Sequence, residues 1–252
     1  MNSFTPDRRS LLKAGGGLLT VAATMSAEQL LGYAKAWAQA SPWKPEAGAK
    51  INLLRWKRFV ESEDVAFMKI VDAFQKATGV TVNVSNESYD DLQPKASVAA
   101  NTGQGLDIVW GLYSLPFLFP NKCTDMTDVA DYLGQKGGGW TKSGEAYGKF
   151  DGKWIGIPVA ATGALMNYRV AAMEKAGHKE FPKDLDGFAD LVKGLNKNGT
   201  PAGMAVGHAS GDANTWLHWA LWAHGGNLID ANNKVVINSP ETAKSLEYVK
   251  GL

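Results

Sequence analysis

Aromatic and polar side chains follow three short apolar segments in the first half of the chain. The segments are 51–56, 80–84 and 106–110, and the residues at or just after their ends are Trp56, Lys57, Tyr89, Asp90, Trp110, Tyr113 and Ser114. An aromatic face packs against the C–H face of a pyranose, while Asp, Ser and Lys side chains hydrogen-bond its hydroxyls. This combination indicates a carbohydrate-binding site. For Trp56 and Trp110 the alternative is core packing at the end of a strand.

Three basic residues, Arg55, Lys57 and Arg58, surround the end of the first segment. Because such side chains pair with phosphate or carboxylate, they indicate a rival ligand. That ligand would be a glycerol phosphate, a phosphodiester or another anionic solute. The alternative is that these charges are solvated at the protein surface, and the sequence leaves both interpretations open.

The residue pattern gives little support to metal binding or catalysis. His218 and His224 stand at i and i+6, so they do not share a helical face. Asp90 and Asp91 are adjacent and point apart, and no second acid is positioned for a glycosidase pair. We therefore predict no catalytic residue, no metal site and no cofactor. A polysaccharide-degrading enzyme remains the hypothesis from a different functional class.

The charge balance argues against nucleic acid as a partner. The 252 residues include 26 Lys and Arg against 25 Asp and Glu, so no extended basic track is expected. The single cysteine, Cys123, excludes an intramolecular disulfide and a multi-cysteine metal site. We interpret it as a small, partly buried apolar residue.

The first forty residues resemble a twin-arginine export signal. Arginines at positions 8 and 9 are followed by two leucines and a lysine, then by a mildly apolar, glycine-diluted stretch. The small residues of Ala38-Gln39-Ala40 suit a signal peptidase. The apolar stretch is too short and too rich in glycine to span a bilayer. We therefore predict a signal peptide over 1–40 and a mature protein that begins near Ser41 in the periplasm.

Strand and helix patterns alternate along the first half of the mature chain. A strand is predicted over 51–56, followed by a helix with Ser62 as N-cap and an apolar stripe that ends at Gly79. A second strand follows over 80–84. Such a strand–helix–strand unit predicts a parallel sheet with a right-handed crossover. Ligands of such sheets bind beyond the carboxyl ends of the strands, where the polar and aromatic residues lie.

Further helices and strands are predicted from the same kinds of residue pattern. A second helix is predicted from Leu92 to Gly103, a third strand over 106–110, and a hairpin around Asp151-Gly152. The segment 136–139, with three glycines, is expected to be a flexible surface connection.

The second half is predicted to contain three helices. One carries the stripe Phe188, Leu191, Val192 and Leu195; one opens at Asp212 or Asn214; one follows the N-cap Ser239. Short apolar segments at 228–229 and 235–237 flank a polar turn. Because no return strand follows the last helix, we expect this chain to be the front part of a longer protein.

Several short motifs follow one another in a characteristic order over residues 50–252. They are Phe150–Pro158, Tyr168-Arg169, Glu174–Gly177, Gly225–Leu228 and Asn238–Glu241. In this order and spacing the chain resembles family 1 extracellular solute-binding proteins, the group similar to maltose-binding protein.

The resemblance implies an α/β, two-lobed periplasmic-binding-protein fold of type II, with the second lobe incomplete. The N-terminal lobe would cover 41–158 and the start of the C-terminal lobe 159–252, with a crossing near 157–162. The ligand would lie in the cleft between the lobes. The second lobe would contribute Thr162, Asn214, Trp216 and Asn227.

The function implied by the resemblance is binding without chemical change. The protein would be a monomer that captures a sugar in the periplasm and delivers it to the permease subunits of an ABC transporter. Closure of one lobe over the other would produce the form that the permease recognises.

Overall fold

The chain divides into two compact units, one ending at Ala160 and the other beginning at Ala161. The computed structural model describes residues 25–46, 48–112, 114–160, 166–208, 211 and 213–252. Within those ranges, no helix has both the length and the apolar character needed to cross a membrane.

The first unit contains five helices and five strands among its described residues. In chain order they are α1 (Ala27–Ala40), β1 (Lys50–Trp56), α2 (Glu61–Thr78), β2 (Thr81–Glu87), α3 (Leu92–Thr102), β3 (Ile108–Val109), α4 (Thr127–Gly137), α5 (Lys142–Gly148), β4 (Lys149–Phe150) and β5 (Lys153–Trp154). Three short 3₁₀ turns cover Tyr89–Asp91, Leu115–Leu118 and Pro120–Lys122.

A parallel sheet in the order β2-β1-β3 organises this unit, as the strand–helix–strand pattern predicts. The central strand β1 runs beside the whole of β2, from the pair Lys50–Thr81 to the pair Trp56–Glu87. Its Leu54 is almost completely buried, which places the core of the unit against this strand. Strand β3 is much shorter than the predicted 106–110, since only Ile108 and Val109 pair with β1.

Helix α2 connects β1 to β2 and begins two residues earlier than predicted. Its N-cap is Val60, which makes no side-chain hydrogen bond, so the prediction of Ser62 as N-cap is wrong. Three acidic residues in the first turn, Glu61, Glu63 and Asp64, favour the helix dipole instead. The helix ends as predicted at Gly79, whose φ of 77° suits glycine.

The predicted hairpin is present but short. Asp151 and Gly152 both adopt positive φ, 48° and 77°, between the two-residue strands β4 and β5. Trp154 on β5 is buried beside Trp140, at 5.1 Å between ring centroids. Lys136 and Gly137 are the last residues of α4 and Gly138 is its C-cap, so only the end of the segment 136–139 lies outside the helix.

Helix α1 lies within the segment predicted to be a signal peptide, and it packs on α2. Its N-terminus has a capping box between Ser26 and Gln29. Leu30 is buried against Ala73 of α2. The arginine pair and most of the apolar stretch of the predicted signal lie outside the described residues, and export by the twin-arginine pathway stays a prediction.

The second unit contains four helices among its described residues: α6 (Val170–Lys175), α7 (Leu185–Lys197), α8 (Ala213–Ala223) and α9 (Pro240–Lys250). Phe188, Leu191 and Val192 of α7 are buried, as their spacing predicts. The predicted N-cap of α9 is confirmed, since the Ser239 hydroxyl accepts a hydrogen bond from Thr242 N–H. The apolar segments around 229 and 235 form a single isolated bridge between Ile229 and Val235.

Candidate functional site

The loops after β1 and β2 bring three aromatic rings together. The strands end side by side at the pair Trp56–Glu87, and the 3₁₀ turn that follows β2 begins with Tyr89. The ring of Trp56 therefore meets Tyr89 edge to face at 5.2 Å, and it meets Phe59 in the same geometry at 5.1 Å.

Trp110, directly after β3, belongs to the same edge of the sheet. Its backbone N–H donates to the carbonyl oxygen of Leu54 at 2.8 Å, which holds Trp110 beside β1. The guanidinium of Arg58 lies 4.8 Å from the ring centroid of Trp56 and 5.0 Å from that of Trp110. We call Trp56, Phe59, Tyr89 and Trp110 the strand-end aromatic cluster.

Arg55 is fully buried beneath this cluster, so the interpretation of its charge as solvated at the surface is wrong. Its Nη2 donates to both carboxylate oxygens of Glu63, at 3.0 and 2.8 Å. Its Nη1 lies 3.4 Å from an oxygen of Asp64. The guanidinium also lies 4.0 Å from the ring centroid of Phe67, one helical turn further along α2.

Arg58 shares the carboxylate of Glu63 with Arg55. Its Nε lies 3.3 Å from Glu63 Oε2, and about a quarter of its side chain (23%) is exposed. Two arginines thus face two carboxylates, and the formal charges of this group balance. We call Arg55, Arg58, Glu63 and Asp64 the arginine–carboxylate group.

The remaining candidates of the first unit are more peripheral. Lys57 is exposed, and within the described ranges no carboxylate pairs with its side chain. Its backbone N–H donates to the carbonyl oxygen of Glu87 at 2.8 Å. Asp90 and Ser114 are also exposed, beside Tyr89 and before the second 3₁₀ turn respectively. Tyr113 lies outside the described residues.

The candidates of the second unit do not form a site that can be described. Thr162 lies outside the described residues, as does the side chain of Asn214, whose backbone is in the first turn of α8. Trp216 donates its indole N–H to the carbonyl oxygen of Ala205 within the same unit. Asn227 is exposed just after α8. Their role in ligand binding stays a prediction.

Glu63 is the functional candidate that the sequence interpretation missed. Acidic residues in the first turn of a helix are explained by the helix dipole alone, so its position carries no further signal. Only the register of α2 against β1 brings its carboxylate to Arg55 and Arg58.

Within the described ranges, no group of three His, Cys, Asp or Glu residues is close enough to hold a metal ion. His218 stacks on Trp222, at 5.4 Å between ring centroids. His224 Nδ1 lies 2.8 Å from the carbonyl oxygen of Ala220. Both histidines therefore have local packing partners within the second unit.

Residues 69–252 match the family model described as "Bacterial extracellular solute-binding protein". The match covers well over half of the chain. The protein belongs to this family of extracellular solute-binding proteins.

Similarity to curated binding proteins supports this assignment. The solute-binding protein is 22% identical over 191 residues to binding proteins of Brucella abortus and Brucella suis, covering 74% of this chain and 46% of each relative. The chain therefore spans about half the length of the curated relatives it matches.

Several solved structures with the same fold hold a bound sugar or polyol. They include an ABC transporter solute-binding protein from Agrobacterium radiobacter in complex with ribitol, with a TM-score of 0.65 and 22% identity over 82% of this chain and 53% of that one. Maltose-bound MalE3 from Thermotoga maritima has a TM-score of 0.64 and 18% identity, covering 80% of this chain and 52% of that one. These likenesses establish the two-lobed α/β fold of periplasmic binding proteins.

Proposed function

We propose that this solute-binding protein captures a neutral sugar or polyol for an ABC transporter. The observation that carries the proposal is the strand-end aromatic cluster. Its rings come from the loops after three parallel strands, the edge of the sheet where ligands of such folds bind. Aromatic faces suit the C–H surface of a sugar, while Lys57 and Asp90 are exposed nearby and suit its hydroxyls.

The ligands of the structural neighbours support this ligand class. Ribitol, maltose and laminaribiose are bound in three of them. At identities of 18–22% these likenesses do not transfer a ligand, so the proposal depends on the chemistry of the cluster itself.

An anionic solute is less well supported. The two arginines that suggested it are already paired with Glu63 and Asp64, and the exposed Lys57 is the cation of the predicted basic group that has no carboxylate partner among the described residues. No observation favours a polysaccharide-degrading enzyme, and the family consists of binding proteins.

The proposed mechanism is closure and delivery. The ligand binds one lobe, the other lobe closes over it through Thr162, Asn214, Trp216 and Asn227, and the permease subunits recognise the closed form. The protein would reach the periplasm by the twin-arginine pathway and act there as a monomer. Contacts made only after closure would provide the difference in affinity that shifts the equilibrium.

The direct test is a calorimetric binding screen of the full-length protein against ribitol, maltose, laminaribiose and other neutral sugars. We expect at least one to bind with micromolar affinity, about −8 kcal/mol, and to be recovered unchanged. Chromatography of the recovered ligand separates binding from hydrolysis or lysis. If none of these solutes binds, or if the ligand is cleaved, the proposal is wrong.

The cluster is tested by the variant Trp56→Ala. Loss of the ring that contacts both Phe59 and Tyr89 should weaken sugar binding about tenfold or more, equivalent to about 1.4 kcal/mol. The matched control is Trp43→Ala, because Trp43 packs on Tyr132, a residue of the same unit that is not part of the cluster. Equal losses in both variants would exclude a specific role for the cluster.

A further inference from the structure

The charge balance at the strand-end edge depends on one carboxylate. Glu63 Oε2 lies 2.8 Å from Nη2 of Arg55 and 3.3 Å from Nε of Arg58, so it serves both cations. Asp64 lies near Arg55, at 3.4 Å from its Nη1, and no ion pair joins it to Arg58 among the described residues. Glu63 is therefore the carboxylate that compensates the charge of Arg58.

Arg58 is the arginine of the group that a solute can reach. Arg55 is fully buried, whereas 23% of the Arg58 side chain is exposed. Its guanidinium lies close to the rings of both Trp56 and Trp110, so it is part of the aromatic surface proposed to contact the ligand. A guanidinium in this position can donate hydrogen bonds to a hydroxyl or to an anion.

We propose that Glu63 is a specificity-determining residue that makes this edge selective for uncharged solutes. With Glu63 ionised, Arg58 offers hydrogen-bond donors while the arginine–carboxylate group as a whole has no net charge. An anionic ligand would then be repelled by the carboxylate of Glu63. Without that charge, the group carries a net positive charge beside two indole rings and becomes an anion site. This inference rests on the proposed function, and it identifies the residue that decides between its two ligand classes.

The variant Glu63→Gln removes the charge and retains an amide oxygen that can accept from Arg55. Asp64 still pairs with Arg55, so the buried guanidinium keeps an anionic partner. The probes are matched pairs that differ in one carboxylate, ribitol with ribonate and maltitol with maltobionate, together with inorganic phosphate. Binding is measured by calorimetry at low ionic strength, where charge effects are least screened.

We expect Glu63→Gln to raise the affinity for ribonate or maltobionate about tenfold relative to the affinity for its neutral partner, or the affinity for phosphate about tenfold relative to the wild type. The double variant Glu63→Gln with Arg58→Gln should lose that gain, and Glu63→Asp, which keeps the charge, should behave as the wild type. The matched control is Asp72→Asn, which removes one charge from the same helix at an exposed pair with Lys76. It should change selectivity by less than about twofold, because exposed pairs are strongly screened.

An unchanged anion affinity in Glu63→Gln, or an equal gain in Asp72→Asn, would overturn the inference. If Glu63→Gln loses its cooperative thermal transition, the variant Arg58→Gln replaces it in the test. This variant leaves the group with a net negative charge and should weaken the binding of each anionic probe about tenfold. If the affinity for the anionic probes relative to the neutral ones is unchanged in Arg58→Gln, the proposal is contradicted. Failure of every neutral probe in the wild type would instead contradict the proposed function. The phosphate measurement then still decides the role of Glu63 by itself.

Discussion

At the residue scale, Arg55 illustrates how the site keeps a buried charge. Transferring a guanidinium out of water is costly, and the cost is offset only when hydrogen bonds and opposite charges surround it. Here Glu63 accepts two hydrogen bonds, Asp64 lies nearby, and the ring of Phe67 covers the guanidinium plane. The planar, delocalised cation of arginine suits this combination better than lysine would.

Cys123 gives a prediction at the same scale. Partial burial raises the pKa of its thiol, so the reactive thiolate is scarcer at a given pH than in an exposed cysteine. Its Sγ also lies 3.4 Å from the carbonyl oxygen of Phe119, which suits the protonated form as donor. We expect iodoacetamide at pH 8 to alkylate the native protein about tenfold more slowly than the urea-unfolded protein.

The readout for Cys123 is mass spectrometry over time, and it is unambiguous because the chain has one cysteine. Raising the pH should speed the native reaction as the thiol ionises. Equal rates in the native and unfolded protein would contradict the assigned burial.

At the scale of elements, α5 and β5 approach each other at Gly148. A Cβ atom at this position would lie 2.6 Å from Cε3 of Trp154 and 2.9 Å from the carbonyl oxygen of Gly156. Since Trp154 is almost fully buried, its ring has little freedom to move away. Glycine is therefore required here by close packing.

The variant Gly148→Ala should lower the free energy of unfolding by about 1–3 kcal/mol, the usual cost of overpacking a core. Chemical denaturation followed by tryptophan fluorescence measures the change. The matched control is Gly137→Ala at the end of α4, where a Cβ atom would meet nothing within 4 Å. A control that is destabilised as much as Gly148→Ala would exclude the packing explanation.

At the scale of the whole molecule, the family and the two-unit division lead to one prediction about motion. If ligand binding closes the lobes, the full-length protein should become more compact when a saturating sugar is added. Small-angle X-ray scattering measures this as a decrease in the radius of gyration. An unchanged radius of gyration at saturation, with binding confirmed by calorimetry, would contradict closure.

The sequence predicted the elements that local chemistry determines. The strand–helix–strand unit, the glycine that ends α2, and the N-cap Ser239 all follow from periodicity and backbone preferences within a few residues. The order of short motifs identified the solute-binding family, and the family match confirms it. The N-cap Ser62 was wrong because serine and acidic residues are both favourable in the first turn.

The candidate site was predicted in part, since residues after parallel strands share one edge of the sheet. The contact of Trp56 with Tyr89 follows from that rule. The burial of Arg55 and its ion pair with Glu63 could not be predicted, because they depend on how α2 lies against β1.

The sequence by itself determined the family, the parallel sheet and the loops that carry the aromatic residues, because these depend on local pattern and on the general geometry of parallel strands. Only the tertiary structure decided that the charges of Arg55 and Arg58 are compensated by Glu63 and Asp64. Burial and pairing of charges depend on contacts between separate elements, and a list of charged residues does not contain that information.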